Sequence, residues 1–550
     1  MLLDVQNLSV FFNGERDKPV VDSISFSLER GRTMCLVGES GSGKTMTALS
    51  VTRLLPNNAS LADTSKIVFD RGPEPSVDLN DASAETMRQF RGSDIAMIFQ
   101  EPMTSLNPVL TIGDQLAEAI QHRWPELTEN EINTKCRESL EKVRLDNVDE
   151  RLNTYPHLLS GGQRQRVMIA MAIACEPKLL VADEPTTALD VSVQADILRL
   201  IQDLQSENGM GILFITHDLG VVAQIADTVA VMSRGQIVEK APVRSVLKTP
   251  DHRYTQGLLD ALPENLVATR SQESSPLQMP QEQLERSYIE IENLCVSFPI
   301  RSGFFRRTTG YVHALDNVSL KISRSDVVAL VGESGSGKTT LGRTLLGLIA
   351  PHSGSIKLEG DDLLATKSDF PKNIRNRFQY IFQDPVSSLN PRLTIATTLI
   401  EPMGVHGIGE NFDERVAIAE KLMGDLNLDE KSLWRLPYQF SGGQRQRIGI
   451  ARALCVNPEF IVCDEITSAL DVSVQSELLQ LLLDLRESRD LTLLFISHDI
   501  GVIEYVSDYT AVMHRGEIVE FDETSMICHS PKQHYTQELL AAVPRVSALT

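Results

Sequence analysis

Two segments of this 550-residue chain share an eight-residue pattern in which three glycines are spaced among polar residues and a lysine and a threonine close the run. The first is Gly38, Glu39, Ser40, Gly41, Ser42, Gly43, Lys44 and Thr45. The second is Gly332, Glu333, Ser334, Gly335, Ser336, Gly337, Lys338 and Thr339. In a GxxxxGK[ST] loop the glycines let backbone N–H groups converge on phosphate oxygens, the lysine reaches the outer phosphates, and the threonine hydroxyl suits Mg2+. A helix starting at the loop adds its positive end to the same anion site.

Four further groups recur behind each loop. Asp183 and Asp464 end apolar runs, LLVA and FIVC, and suit Mg2+ coordination through water. The adjacent Glu184 and Glu465 are placed to orient and deprotonate an attacking water. A single Asp-Glu pair is ordinarily a solvated helix start, but here each lies behind a hydrophobic run and downstream of a phosphate loop. Gln100 and Gln383, in MIFQEP and YIFQDP, could contact both the metal and the water. His217 and His498 close the runs ILFIT and LLFIS, where an imidazole would meet a γ-phosphate. Alone, such a glutamine reads as polar surface and such a histidine as a structural residue; their recurrence in one context argues for the site. The last group is SGGQ, at Ser160, Gly161, Gly162 and Gln163, and at Ser441, Gly442, Gly443 and Gln444. Each serine reads as a helix N-cap, and the exposed N–H groups behind it also make an anion site.

The elements that must position these groups are legible. TMCLV (Thr33–Val37) and VVALV (Val327–Val331) are short apolar runs stopping at the glycine loops, as buried parallel strands do. TMTALSVTRLL and TTLGRTLLGLI then follow with apolar residues at helical spacing. Polar residues delivered at the ends of apolar strands are the usual layout of an open α/β sheet. Residues from about Thr111 to Tyr155 and from Thr394 to Tyr438 are charged and helical in period, and read as helical insertions before SGGQ.

The chain is a duplication. From the SGGQ serine to the acidic pair is 23 residues in both halves, and from that aspartate to the histidine is 34 in both. The first copy carries 11 more residues between phosphate loop and glutamine, within Ser60–Arg91. Both copies end alike, in TPDHRYTQGLLDALP (Thr249–Pro263) and SPKQHYTQELLAAVP (Ser530–Pro544). The expected organisation is a first domain over 1–263, a polar linker over 264–287 and a second domain over 288–550. The 24-residue linker could span about 80 Å fully extended, enough for the domains to face each other.

Composition bounds the role. A net charge of −22 disfavours nucleic acid and anionic lipid as direct partners. Seven widely spaced cysteines without a CxxC read as reduced, buried thiols. The N-terminus has no basic region of a secretory signal, and no run of about 18 apolar residues predicts a membrane span.

Phosphate loop, glutamine, SGGQ, Asp-Glu and His-Asp in this order resemble the nucleotide-binding domain of ABC ATPases, twice, over nearly the whole chain. The resemblance implies two α/β P-loop NTPase domains of ABC type, each with a central mainly parallel sheet, an antiparallel β subdomain and a helical subdomain. It implies ATP and Mg2+ as cofactors and a head-to-tail sandwich, with Gly38–Thr45 capped by Ser441–Gln444 and Gly332–Thr339 by Ser160–Gln163. ALD at Ala188–Asp190 and Ala469–Asp471 matches the loop that communicates between sites. An aromatic after the first strand stacks on adenine in this family; Phe12 and Tyr311 are the candidates, with Phe11 and Phe298 as alternatives. FQEPMTSLNP (Phe99–Pro108), FQDPVSSLNP (Phe382–Pro391) and the YTQxLL ends, with the segment Val296–Arg307, are similar to fused ATPases of peptide and nickel importers. That implies uptake of dipeptides, oligopeptides, glutathione, peptide antibiotics or nickel. It also implies two permease subunits and an external solute-binding protein as partners, and a peripheral place on the cytoplasmic face of a bacterial inner membrane. Three departures stand out: Ile466 where the first copy has Pro185, Phe440 where it has Leu159, and no cysteine cluster of the kind that holds an iron–sulfur centre in some relatives.

ABC proteins acting on ribosomes or DNA also join two such domains. The ribosomal type uses a long basic helical linker, whereas Glu264–Ser287 holds two Arg, four Glu and no Lys. DNA-repair types add zinc clusters or long coiled coils, for which the sequence has no segment.

Overall fold

The computed structural model describes residues 1–13, 18–100, 105–187, 189–267, 287–302, 307–364, 374–384, 388–468 and 470–546. Ala188 and Ala469 of the ALD segments, most of the expected linker and parts of Phe99–Pro108, Phe382–Pro391 and Val296–Arg307 lie outside the described residues. The chain forms two compact units, Met1–Leu259 with Pro544–Thr550, and Asp260–Val543.

The first unit is built on a six-stranded sheet in the order Gln236–Pro242, Thr228–Ser233, Thr33–Val37, Gly211–Thr216, Leu179–Asp183, Ile95–Ile98. Its first pairing is antiparallel and the others are parallel. Thr33–Val37, Leu179–Asp183 and Gly211–Thr216 are buried at every position, which is why they read as unbroken apolar runs rather than alternating ones. The register aligns their carboxyl ends: Val37 pairs with Thr216, Asp183 with Ile215, and Ile98 with Ala182. Gly38, His217, Glu184 and Gln100 therefore leave the sheet along one edge.

A second, antiparallel sheet orders Val21–Leu28, Leu3–Phe12, Lys66–Phe69 and Val77–Asp78, with Ala59–Leu61 also paired to Leu3–Phe12. Its apolar residues, among them Val5, Leu8, Phe26, Ile67 and Phe69, share a core with Met34, Leu36, Leu213 and Ile215 of the parallel sheet.

The second unit repeats this plan. Its six strands run Phe378–Ile381, Phe460–Asp464, Thr492–Ile496, Val327–Val331, Tyr509–His514, Glu517–Glu523. Its antiparallel sheet orders Arg307–Ile322, Ile289–Ser302, Ser353–Leu358 and Asp361–Asp362. Glu359 and Gly360, at φ 54° and 95°, make a two-residue turn between the last two strands. In the first unit the corresponding strands end at Phe69 and restart at Val77, so part of the extra length of that copy lies in this one hairpin.

The helical insertions form as expected, as Ile112–Arg123, Glu129–Lys142 and Val148–Leu152, and as Ile395–His406 and Phe412–Asp425. Local chemistry sets their starts. Thr111 and Thr128 form reciprocal capping boxes with Asp114 and Glu131, while Thr394 and Asn411 accept the N–H groups of Thr397 and Glu414.

Two expectations need correction. Residues 263–267, four of them expected in the linker, are helical, and the adjacent apolar side chains of Leu266 and Val267 leave water to pack against the second unit's core. Cys295 and Cys528 are only half-buried; Cys35, Cys136, Cys175, Cys455 and Cys463 are buried, and all seven are free thiols. Burial pushes the Cys136 and Cys175 thiols up to about 11.

The Thr111 cap satisfies a donor that the helix cannot satisfy itself. Thr111→Ala is expected to cost about 1 kcal/mol, read in thermal unfolding as a melting point lowered by roughly 2–4 °C.

Candidate active sites

Each phosphate loop is shaped by its glycines. Gly38 has φ 150°, and a Cβ there would lie 2.2 Å from the carbonyl oxygen of Met232; at Gly332, with φ 148°, it would lie 2.1 Å from that of Met513. Only glycine lets the loop leave its strand this close to the neighbouring one. Gly43 and Gly337, at φ 103° and 106°, take the left-handed turn that launches helices Lys44–Val51 and Lys338–Leu345. Lys44 Nζ donates to the carbonyls of Gly38 (2.7 Å) and Glu39 (2.9 Å), and Lys338 Nζ to those of Gly332 (2.7 Å) and Glu333 (2.8 Å). The ammonium is thus held over its own loop, in reach of whatever the loop cradles. Ser42 Oγ and Ser336 Oγ are buried there without a hydrogen-bond partner among the described residues, an arrangement that fits an incoming phosphate oxygen.

The acidic pair closes the other side. Asp183 is the last residue of its strand, and its Oδ1 accepts from Thr45 Oγ1 at 3.3 Å; Asp464 accepts from Thr339 at 3.2 Å. A hydroxyl and a carboxylate oxygen converging beside a phosphate loop are the hard oxygen donors that Mg2+ takes together with water and substrate phosphates. Burial pushes the Asp183 carboxyl up to about 6, against the Thr45 hydrogen bond, and pushes Asp464 up as well.

Glu184 and Glu465 sit in the left-handed region at φ 46° and 47°, a conformation costing on the order of 1–2 kcal/mol for a residue with a side chain. Backbone bonds to the adjacent strand hold them there, from Glu184 N to Ile215 O at 3.0 Å and from Glu465 N to Ile496 O at 2.9 Å. The turn aims each carboxylate at the other candidates. Glu184 accepts from Gln100 Nε2 at 3.0 Å and from Thr187 Oγ1 at 3.0 Å, and lies 3.2 Å from His217 Nδ1. Glu465 accepts from Gln383 Nε2 at 2.7 Å and lies 3.6 Å from His498 Nδ1. Burial raises Glu184, but His217, with Thr187 and Lys44, holds it below the ordinary carboxylate range. Burial lowers His217, but Glu184 outweighs it and the imidazole ends above its ordinary value. Glu465 and His498 shift in the same directions. Each glutamate is therefore an oriented anion beside a histidine drawn toward its charged form.

In each unit the structure brings together phosphate loop, aspartate, glutamate, glutamine and histidine. SGGQ stands apart, satisfied within itself. Ser160 caps helix Gly161–Ile173, accepting from Gln163 N at 3.3 Å while its own N–H donates to Gln163 Oε1 at 3.1 Å. Ser441 does the same for Gly442–Leu454, at 3.3 and 3.0 Å. A Cβ on Gly162 or Gly443 would meet Val193 or Val474 at 2.8 or 2.6 Å, so the helix start lies flat on its neighbour while Ser160, Gly161, Ser441 and Gly442 remain exposed. Among the aromatic candidates, Phe11 and Phe12 end their strand half-buried. Tyr311 and Phe298, by contrast, lie within paired strands, 58% and 42% exposed; the hairpin there is longer than the loop expected.

Sequence reasoning missed several neighbours. Thr187 is one. Tyr380 is another: its hydroxyl donates to Asp464 Oδ2 at 2.5 Å, whereas the equivalent strand position in the first unit is Met97. The Pro185/Ile466 departure also has a structural echo. Gln165 Nε2 donates to Pro185 O, while Gln446 Nε2 is buried without a partner among the described residues. Tyr254 and Tyr535 reach the loops from 215 and 202 residues away in sequence.

The fold and these paired sites define a double P-loop ATPase, and the chain belongs to the ABC transporter family. The family model described as ABC transporter matches residues 21–187 and 315–468, and that of the oligopeptide/dipeptide transporter C-terminal region matches residues 238–286 and 519–549. It is an ATP-binding, ATP-hydrolysing ABC protein. Among its relatives are the glutathione import ATP-binding proteins GsiA of Shigella sonnei (strain Ss046) and Escherichia coli (strain K12), each 44% identical over 99% of this chain and 89% of their own length. The solved dimeric ATP-binding cassette MJ0796, bound to ADP and Pi, is 28% identical, covers 43% of this chain and 98% of its own, and superposes with a TM-score of 0.39.

The ionised pair fixes a sign for pH. Glu184 is depressed, so its contribution is present above the ordinary carboxylate value and lost on acidification. His217 is raised, so its contribution is complete below 6.5 and lost as pH rises through its higher folded value. His217→Asn is therefore expected to cost more stability at pH 6 than at pH 9, with a melting-point gap from wild type wider by roughly 2 °C at pH 6; equal gaps would show that the pair is not ionised.

Proposed function

We propose that this chain is the motor of a membrane importer for peptides or related small solutes, glutathione among them, working through two composite ATP sites. The observation that carries the reading is the convergence, in both copies, of Glu184 or Glu465 with a glutamine, a histidine and a Thr–Asp pair at the mouth of a phosphate loop. The match to an oligopeptide/dipeptide transporter C-terminal region and the likeness to glutathione import proteins point to the cargo class.

In this reading backbone N–H groups of Gly38–Thr45 and Gly332–Thr339 hold the phosphates, with Lys44 and Lys338 neutralising the outer ones. Thr45, Asp183 and Gln100, and Thr339, Asp464 and Gln383, hold Mg2+, which when bound offsets the charge developing on the phosphates. Glu184 and Glu465 orient the attacking water and accept its proton. His217 and His498 meet the γ-phosphate. The signature segments leave their N–H groups and serines exposed, and each is assigned to cap the nucleotide of the other copy. Phe12 and Tyr311 remain the adenine candidates.

Among the described residues no helix is long and apolar enough to cross a membrane. Transport therefore runs through partners: two permease subunits, docked on the helices of 111–155 and 394–438, and an external solute-binding protein. The chain sits peripherally on the cytoplasmic face of the inner membrane.

Two experiments test this. Removing a general base costs about 100- to 10,000-fold at its own site. Glu184→Gln and Glu465→Gln are each expected to lower the ATPase rate by more than half, and the double variant to abolish it; one single variant at full rate and the other at none would refute two-site catalysis. In liposomes carrying the permeases and binding protein, glutathione or a dipeptide should stimulate ATP hydrolysis several-fold. No stimulation by either would overturn the cargo class.

A further inference from the structure

The region behind the last strands has no part in the chemistry above, yet both units build it alike. Glu239, on strand Gln236–Pro242, accepts the backbone N–H groups of Asp251 (2.9 Å) and His252 (3.2 Å). Glu520, on strand Glu517–Glu523, accepts those of Lys532 (2.7 Å) and Gln533 (3.2 Å). Gln256 Nε2 donates to Pro250 O, and Gln537 Nε2 to Pro531 O, both at 3.0 Å. Thr255 and Thr536 are each 1% exposed. The glutamine of the repeated YTQ segment thus ties down the start of the short helices Arg253–Asp260 and His534–Ala541, and the threonine is buried beneath them, which leaves the tyrosine.

That tyrosine points at the phosphate loop. Glu39 N–H donates to the Tyr254 hydroxyl at 3.3 Å, and Glu333 N–H to the Tyr535 hydroxyl at 3.2 Å. The peptide held this way is the one whose carbonyl belongs to Gly38 or Gly332, the same carbonyl that accepts from Lys44 or Lys338 at 2.7 Å. One peptide group therefore stands between the tyrosine and the lysine. When the ammonium turns to a phosphate, the carbonyl side of the peptide loses that bond, while the tyrosine keeps its hold on the N–H side. In the second unit the His514 ring stacks on Tyr535, with centroids 4.1 Å apart and planes 18° apart. Burial pushes the Tyr254 hydroxyl up to about 12, so it stays neutral and able to accept.

We propose that Tyr254 and Tyr535 are positioning residues, through which the C-terminal region of each unit sets the first peptide of its phosphate loop for nucleotide binding. The coupling is reciprocal by linkage: nucleotide on the loop strengthens docking of the YTQ helix, and a docked helix strengthens nucleotide binding. The inference rests on the loops being the ATP sites.

The test uses Tyr254→Phe, Tyr535→Phe and the double variant in the full chain, which remove only the hydroxyls. Loss of one such hydrogen bond is worth roughly 3- to 10-fold in affinity. The double variant is expected to raise both the KM for ATP and the Kd of a fluorescent ATP analogue by that factor, with kcat within twofold and the melting point within about 2 °C. Unchanged KM and Kd overturn the proposal. So does a fall in kcat together with a melting point lowered by more than about 5 °C, which would make the tyrosines structural only. Lys44→Ala with Lys338→Ala separates the two readings: if that variant binds the analogue like wild type, the loops are not the nucleotide sites; if it does not bind while the Phe variants bind normally, only the tyrosine proposal fails.

Discussion

Everything in these sites depends on bringing two adjacent carboxylates to the end of a buried parallel sheet while keeping one of them ionised. Asp183 and Glu184 are consecutive, both desolvated, and of like charge. Burial alone would raise both. The fold separates their fates by geometry: Asp183 stays in strand direction, against Thr45, while Glu184 turns through a left-handed residue toward His217 and Gln100. Two adjacent acids thus end in opposite electrostatic states, one raised and one lowered, and which way the backbone turns decides which is which.

Duplication preserved this geometry and let its surroundings drift. The six-strand order, the left-handed glutamate, the Thr–Asp bond and the capped signature helix recur in both units. What differs sits one residue away from the chemistry. Tyr380 donates to Asp464, where the first unit has Met97; Gln165 Nε2 meets Pro185 O in the first unit, while Gln446 Nε2 in the second has no partner among the described residues. The two halves share one constellation in two different settings.

The C-terminal region shows how a subfamily feature reaches a shared site. Its clasp, a carboxylate on the last strand holding two N–H groups of the following turn, spends local hydrogen bonds to set one distant side chain. From sequence, the YTQxLL repeat is visible but mute, since nothing in its spacing says that the tyrosine leaves its own helix for a loop about 215 residues earlier.

The sequence by itself determined the duplication, the phosphate loops, the acidic pairs, the strands that carry them and the helical insertions. These follow from local rules: unbroken apolar runs for strands buried on both faces, glycines where the backbone must approach a phosphate, threonine and serine where a helix needs a cap. Tertiary structure alone decided what required distance in space. It placed Glu184 at φ 46° against His217, drew Tyr380 onto Asp464, turned Tyr254 and Tyr535 to their loops, and carried Tyr311 into an exposed hairpin strand. The reason is physical. Strand register and long-range hydrogen bonds join residues tens to hundreds of positions apart, and such pairings leave no periodicity in a single chain to read.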